Sequence, residues 1–215
     1  MAELMVSVSG IRGIIGESLT PEVIVNYVSG FAEFIDGKKI VIGRDSRESG
    51  DFITNILKGV LVSKGYDFID LGIVPTPTVL LTVEELEADG GIGVTASHNP
   101  QKWNALKLVS GRGMFLTGYE GKKFLDIVKK HKYNYTKYNK IGKGKIYRNA
   151  VNNHINKILK TVNTEIIKEK NFKVVLDCVN GAGGVMSPKL LEKLGCEVVT
   201  INEEPHGKFP RTPEP

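Results

Sequence analysis

Residues 89–109 read DGGIGVTASHNPQKWNALKLV, and the architecture is decided there. A glycine-rich approach leads into an apolar run at 92–96, then the polar loop Ser97-His98-Asn99-Pro100, then a second apolar run at 105–109. Both runs are short and bounded by turn residues, as buried strands are. In open α/β folds, groups that meet ligands lie just past the carboxyl ends of strands. Ser97 has that position, with its hydroxyl on a loop held by the sheet, His98 beside it and Pro100 stiffening the turn. In the second run Leu106 and Leu108 share one face and Lys107 lies on the other. A buried strand has little use for a lysine unless the amine reaches a cleft or a partner. Desolvation there would lower its pKa and suit it to proton transfer near neutral pH. The alternative is an edge strand whose lysine points to water.

Outward from this stretch, helices and strands alternate. Thr20-Pro21 is an N-cap followed by proline at the first helical position, and Ile24, Tyr27, Val28, Phe31 and Phe34 continue a helical stripe towards Gly37. KIVIG at 39–43 reads as a buried strand with 44–47 as the loop beyond it. Phe52, Ile53, Ile56, Leu57, Val60 and Leu61 predict a helix ending near Gly65; 66–71 is a strand, 78–87 a helix and 119–131 another. The pattern then restarts. Val151, Ile155, Ile158, Leu159 and Val162 mark a helix, 172–177 a strand running into the loop CVNGAGG at 178–184, then a helix from Pro188 to Gly195 and a strand at 196–201. The alternation predicts a three-layer α/β/α domain with a mixed, largely parallel sheet, followed by a second, incomplete α/β domain. The boundary is expected within 133–148, giving units 1–140 and 141–215. Two strands are too little sheet for a finished domain, so the second unit reads as the front of a longer one.

Composition narrows the class. The chain has 215 residues, 41% hydrophobic and 25% charged, with a net charge of +5. Those values exclude a disordered chain, a collagen-like fibre and a disulfide-dense mini-protein. The most apolar stretch, 71–83, contains Pro75 and Pro77 and is too short and broken to span a bilayer. The start MAELMVSVSG lacks the basic opening and long apolar centre of a signal peptide. A cytoplasmic protein with no membrane partner is expected. Cys178 and Cys196 would stand at opposite ends of neighbouring parallel strands, too far apart to bridge, and neither has the company of a metal site.

Charge is uneven. Between Lys122 and Arg148 nine Lys and one Arg face a single acid, Asp126, with Tyr133, Tyr135, Tyr138 and Tyr147 interleaved. Such a tract could suggest a nucleic-acid surface. Without a binding motif it reads instead as a solvated basic helix face followed by a polar linker or hairpin, and nucleic acid is not expected. Two other loops carry arginine among glycines, Ser9-Gly10-Ile11-Arg12-Gly13 and Gly43-Arg44-Asp45-Ser46-Arg47. The guanidinium fork suits phosphate, and glycine lets the backbone approach a ligand. Arg44 and Arg47 are therefore phosphate-loop candidates, unless the loop is a structural turn in which Asp45 pairs with one of them. VNGAGG does not match the dinucleotide pattern, since Met186 stands at the third glycine, and reads as a tight turn.

These motifs in this order resemble the α-D-phosphohexomutase superfamily of phosphoglucomutases, phosphomannomutases and phosphoglucosamine mutases. GIRG at 10–13 is followed by GRDSR at 43–47 and TASHNP at 95–100, with Asn104 and Lys107 after it; VVLDCVNGAGG at 174–184 and GKFPRTPEP at 207–215 resemble parts of the second domain. The resemblance implies an isomerase that moves a phosphoryl group between the 1- and 6-positions of a hexose phosphate through a bisphosphorylated sugar. It makes Ser97 the phosphoserine, with His98 and Asn99 shaping its loop. Lys107 becomes the general base or acid, and Arg12 reaches into the same cleft. It also implies Mg²⁺ on a phosphate oxygen of Ser97, a glucose 1,6-bisphosphate-type activator, and a hexose or hexosamine phosphate substrate. The metal's three aspartates, from a D-x-D-x-D loop, do not occur in these 215 residues, and neither do the remaining domains. The fragment alone is therefore expected to be inactive. Val8-Ser9 departs from the acidic or amide residue frequent before GIRG. Trp103-Asn104-Ala105 replaces a tyrosine-asparagine-glycine spacer and looks closer to phosphoglucosamine mutases. A non-catalytic phosphosugar-binding module is the other reading.

Overall fold

In a computed structural model that describes residues 3–8 and 10–211, the chain begins with a hairpin of β1 (Met5–Ser7) and β2 (Gly10–Ile14). There follow α1 (Pro21–Phe34), β3 (Lys39–Arg44), α2 (Ser49–Ser63), β4 (Asp67–Ile73), α3 (Thr76–Glu85), β5 (Gly90–Val94), β6 (Trp103–Ser110) and α4 (Gly118–Lys130). Then come β7 (Gly144–Ile146), α5 (Ala150–Leu159), α6 (Thr164–Glu169), β8 (Lys173–Asp177), α7 (Ser187–Lys193) and β9 (Glu197–Ile201). Ser9 of the first arginine loop and the end of the GKFPRTPEP segment, 212–215, lie outside the described residues.

Seven strands form one sheet in the order β1-β2-β6-β5-β3-β4-β7. The pairs β5–β3, β3–β4 and β4–β7 are parallel, while β1–β2, β2–β6 and β6–β5 are antiparallel. The antiparallel half has a simple cause: the loop from β5 to β6 is too short for a crossover helix, so the chain must turn back. On one face Ile40, Ile42, Ile92, Val94, Leu106 and Leu108 pack under α1, α2 and α4. On the other, Val41, Ile69, Leu71 and Val109 pack under α3 with Ala150 of α5. The central strands are buried on both faces, which is why they read as continuous apolar runs. The three layers match the sequence expectation.

The first arginine loop differs. GIRGI was expected as a phosphate-type loop and is strand β2, antiparallel to β6 with Arg12 opposite Ala105. Ile11 and Ile14 are buried in the sheet, while two glycines and an arginine mask the strand pattern. Gly10 is needed there: its φ is +130°, and a Cβ would stand 2.1 Å from the Leu106 carbonyl oxygen.

The stretch read as a linker is fastened to the first sheet. Lys64 Nζ donates to Glu33 at 2.6 Å and to the Asn134 carbonyl at 2.7 Å, and β7 adds a parallel edge strand beside β4. The basic helix α4 buries Gly121, Phe124 and Val128 and turns its lysines to water. Beyond it, β8 and β9 pair in parallel as a separate two-stranded sheet. Cys178 follows β8, Cys196 precedes β9, and both thiols are free. No helix among the described residues is long and apolar enough to cross a membrane.

Candidate functional site

The site grows from two neighbouring strand ends. β5 and β3 run parallel, so the loops beyond them, 95–102 and 45–48, leave the same edge of the sheet, and Asp45 N–H donates to the Val94 carbonyl at 2.9 Å. Ser97 heads the first loop. It is exposed, its φ is +56°, and its Oγ lies 3.3 Å from His98 Nδ1. A non-glycine residue in the left-handed region costs about 1 kcal/mol, so its neighbours must hold it there.

Arg47 is among the groups that hold it. The side chain is fully buried, and all five N–H donors have protein acceptors. Nε donates to Asp45 Oδ2 at 3.1 Å. One terminal nitrogen donates to the carbonyls of Pro100 (2.9 Å) and Trp103 (3.2 Å), the other to those of Ser97 (3.0 Å) and Asn99 (2.6 Å). Burial pushes the Asp45 carboxyl up, opposed by the Thr95 hydroxyl and by the amide, charge and side chain of Arg47. Arg44 faces elsewhere: it pairs with Asp51 at 2.7 Å and donates to the Asp45 carbonyl, outside the residues that line the clefts beside Ser97.

Lys107 stands on the sheet face opposite Leu106 and Leu108, paired across the ladder with Gly93. The helices on that face leave this corner open. A cleft of roughly 420 Å³ forms there, with Arg12, Ser97, Ala105 and Lys107 on the sheet side and the β1 hairpin from Glu3 to Ser7 as a wall. Burial first, and the Arg12 guanidinium second, hold the Lys107 amine below the ordinary lysine value. Arg12 is itself oriented, donating to Asn99 Oδ1 at 2.7 Å and to the Met5 thioether at 3.7 Å. The structure therefore brings together Ser97, His98, Asn99, Arg12 and Lys107. It sets Arg47 beneath them and Arg44 aside.

A second cleft of roughly 440 Å³ meets the first at Ser97. Asp45, Ser46, Thr76 and Thr95 line one side, and Asp177, Cys178 and the glycines of the 181–183 loop the other. The Phe209 ring lies over the Arg47 guanidinium at 5.1 Å, and Gly207 packs against the Ser46 carbonyl. Sequence reasoning passed over Thr95, whose signal was its place two residues before Ser97, and the β1 wall, which carries no motif. Among the described residues no group of three or more His, Cys, Asp or Glu side chains converges as metal ligands. The carboxylates in the second cleft are engaged, Asp45 by Arg47 and Thr95, Asp177 by Asn202 and Arg211. These residues do not by themselves fit a Mg²⁺ site.

Residues 4–136 match the family described as phosphoglucomutase/phosphomannomutase, alpha/beta/alpha domain I, and residues 152–215 match its domain II. A Pyrococcus abyssi protein named "Probable phosphoglucosamine mutase" is 36% identical over 207 residues, covering 96% of this chain and 45% of that protein. A Thermococcus kodakarensis protein named "Phosphoglucomutase/phosphomannomutase" is 37% identical over 212 residues, covering 96% and 46%. The crystal structure of a phosphoglucomutase/phosphomannomutase family protein from Burkholderia thailandensis superposes with a TM-score of 0.77 at 28% identity, covering 96% of this chain and 46% of that one. The chain thus spans about half the length of the relatives it matches.

Proposed function

Since this chain belongs to the phosphoglucomutase/phosphomannomutase family, we propose that it carries the phosphoryl-relay part of a phosphohexomutase, with Ser97 as the carrier. The observation that supports this most is the convergence of an exposed serine hydroxyl, a lysine of lowered pKa and an oriented arginine on one open cleft. Phosphoryl transfer asks for in-line positioning and charge neutralisation more than for covalent chemistry by the protein. In the forward step a sugar hydroxyl oxygen attacks the phosphorus on Ser97. The bond from phosphorus to Ser97 Oγ breaks, a sugar phosphate ester forms, and the hydroxyl proton passes to Lys107 Nζ. In the return step Ser97 Oγ attacks the other phosphate of the bisphosphorylated sugar, and the proton goes back to the departing sugar oxygen. A neutral amine is required of Lys107 at the start, and its burial beside Arg12 favours that form. Arg12 offsets phosphate charge, and Asn99 fixes where its fork points. Mg²⁺, where bound, supplies further charge neutralisation at the transferring group; its aspartate ligands are not among these residues, and no step above depends on it.

Amino sugars are the preferred substrate class in this reading. The Trp103-Asn104-Ala105 spacer supports it, as does the name of the Pyrococcus relative, while the Thermococcus relative, of similar identity, is named for unsubstituted hexoses. Incubation of the full-length protein, with its remaining domains and Mg²⁺, with hexose 1,6-bisphosphate labelled on phosphorus, followed by peptide mapping, tests the proposal. Label on the peptide containing Ser97, absent from Ser97→Ala and discharged faster by glucosamine 6-phosphate than by glucose 6-phosphate, is expected. An unlabelled wild-type protein overturns the relay, and faster discharge by glucose 6-phosphate overturns the amino-sugar preference.

A further inference from the structure

One half-buried carboxylate, that of Asp45, reaches both sides of the Ser97 peptide. On the amide side, Ser97 N–H donates to Thr95 Oγ1 at 3.1 Å, and the Thr95 hydroxyl in turn favours the charged Asp45 carboxylate. On the carbonyl side, Ser97 C=O accepts from Arg47 at 3.0 Å, and Arg47 Nε donates to Asp45 at 3.1 Å. Asp45 is tied in as well, through its own amide to the Val94 carbonyl and through its Oδ1 to the Arg47 amide at 3.0 Å. Thr95 and Arg47 are both buried, and Asp45 is half-buried beside them, which limits the access of water to these bonds. Between the two arms sits the residue whose φ is +56°. Arg47 also holds the Asn99 carbonyl, and Asn99 Oδ1 orients Arg12, so the same brace reaches the cleft's cation.

We propose that Asp45, Thr95 and Arg47 form a brace that locks Ser97 in its left-handed conformation and aims its Oγ into the Lys107 cleft, which makes Thr95 and Arg47 positioning residues rather than phosphate ligands. The proposal rests on the reading of Ser97 as phosphoryl carrier. It accounts for a serine that is exposed yet not free to rotate its backbone, and for an arginine with no donor left for a ligand. A nucleophile misplaced by about 1 Å loses on the order of a hundredfold in rate, so the grip has a kinetic consequence.

Thr95→Val keeps the volume and leaves the Asp45–Arg47 pair in place but removes the hydroxyl that receives Ser97 N–H, whereas Thr95→Ser restores it. Transfer of labelled phosphoryl from hexose 1,6-bisphosphate to Ser97 is measured in the full-length protein for both variants and for Arg47→Lys, beside thermal unfolding of each. Thr95→Val is expected to slow transfer by about tenfold or more at saturation, with the half-saturating concentration within about twofold of wild type. Thr95→Ser returns the rate to within about twofold, and Arg47→Lys, which cannot make the five bonds, resembles Thr95→Val in that split. Wild-type transfer by Thr95→Val, or a loss that Thr95→Ser does not relieve, overturns the brace. A wild-type protein that transfers nothing counts against Ser97 as carrier, and the brace is then judged by hydrogen exchange at the Ser97 amide. Faster exchange in Thr95→Val than in wild type and in Thr95→Ser upholds it, and equal exchange overturns it.

Discussion

Lys107 is held below the ordinary lysine value first by burial in β6 and second by the positive charge of Arg12. Since its folded value lies below the unfolded one, the unfolded chain holds the extra proton between the two, and stability gains as pH rises through that window. Arg12→Gln is expected to move the Lys107 titration, followed by NMR at its Cε, towards higher pH without reaching the ordinary value of 10.5, since burial remains. A midpoint that stays put or falls would contradict this account of the amine. Half of the constellation was visible in the residues themselves. The alternation of Leu106, Lys107 and Leu108 placed the amine on the face away from the leucines, with cleft or water left open, and the position of Ser97 after an apolar run placed the hydroxyl at a strand end. For Arg47 the sequence offered a phosphate-loop charge or a turn partner of Asp45, and the turn pair is what forms; that it lies wholly buried under the serine loop depends on acceptors fifty and more residues away, which no local pattern carries.

Elements that announce themselves by capping and stripe were the legible ones. α1 begins after Thr20, whose hydroxyl accepts from the Val23 amide, and α4 begins with a full capping box in which Thr117 and Glu120 satisfy each other's amides. Thr117→Ala removes one side of that box and is expected to lower the stability of the protein by about 1 kcal/mol in denaturant unfolding. No change in the midpoint would mean that Glu120 and packing of Phe124 suffice. α6 was missed because it is only six residues long and buries nothing; Asn163, which accepts from the Ile166 amide, was its one signal. β2 was missed for a different reason. Its regularity comes from pairing with β6, and its glycine looks like a turn until the neighbouring strand is in place. Gly10→Ala forces a Cβ into the Leu106 carbonyl and should cost about 2 kcal/mol. An unchanged unfolding midpoint would show that the hairpin can shift away from β6.

For the molecule as a whole, the two units meet along α3 and α5 and again at the serine loop. His154 on α5 bonds the Thr78 hydroxyl on α3 at 2.8 Å, Lys157 pairs with Glu84 at 2.8 Å, and Glu85 accepts from Tyr147 and Asn153. Burial, then Lys157, hold His154 below its ordinary 6.5, so the folded junction keeps it neutral while an opened one would protonate. Acidification from that value towards the folded one is therefore expected to loosen the junction, seen as faster hydrogen exchange along α5. Exchange that is flat with pH, once corrected for its intrinsic rate, would contradict it. Chain alternation foretold the layers of the first unit and the β8–β9 pair of the second, but not that 207–209 folds back over Arg47, a contact between distant segments. Peptide mapping by mass spectrometry of the protein purified from its native source asks whether Ser97 carries phosphate. A phosphate on Ser97 that disappears on incubation with a hexose phosphate is the expected result; a Ser97 that is unmodified before and after exposure to hexose 1,6-bisphosphate would mean that Ser97 is not the phosphoryl carrier.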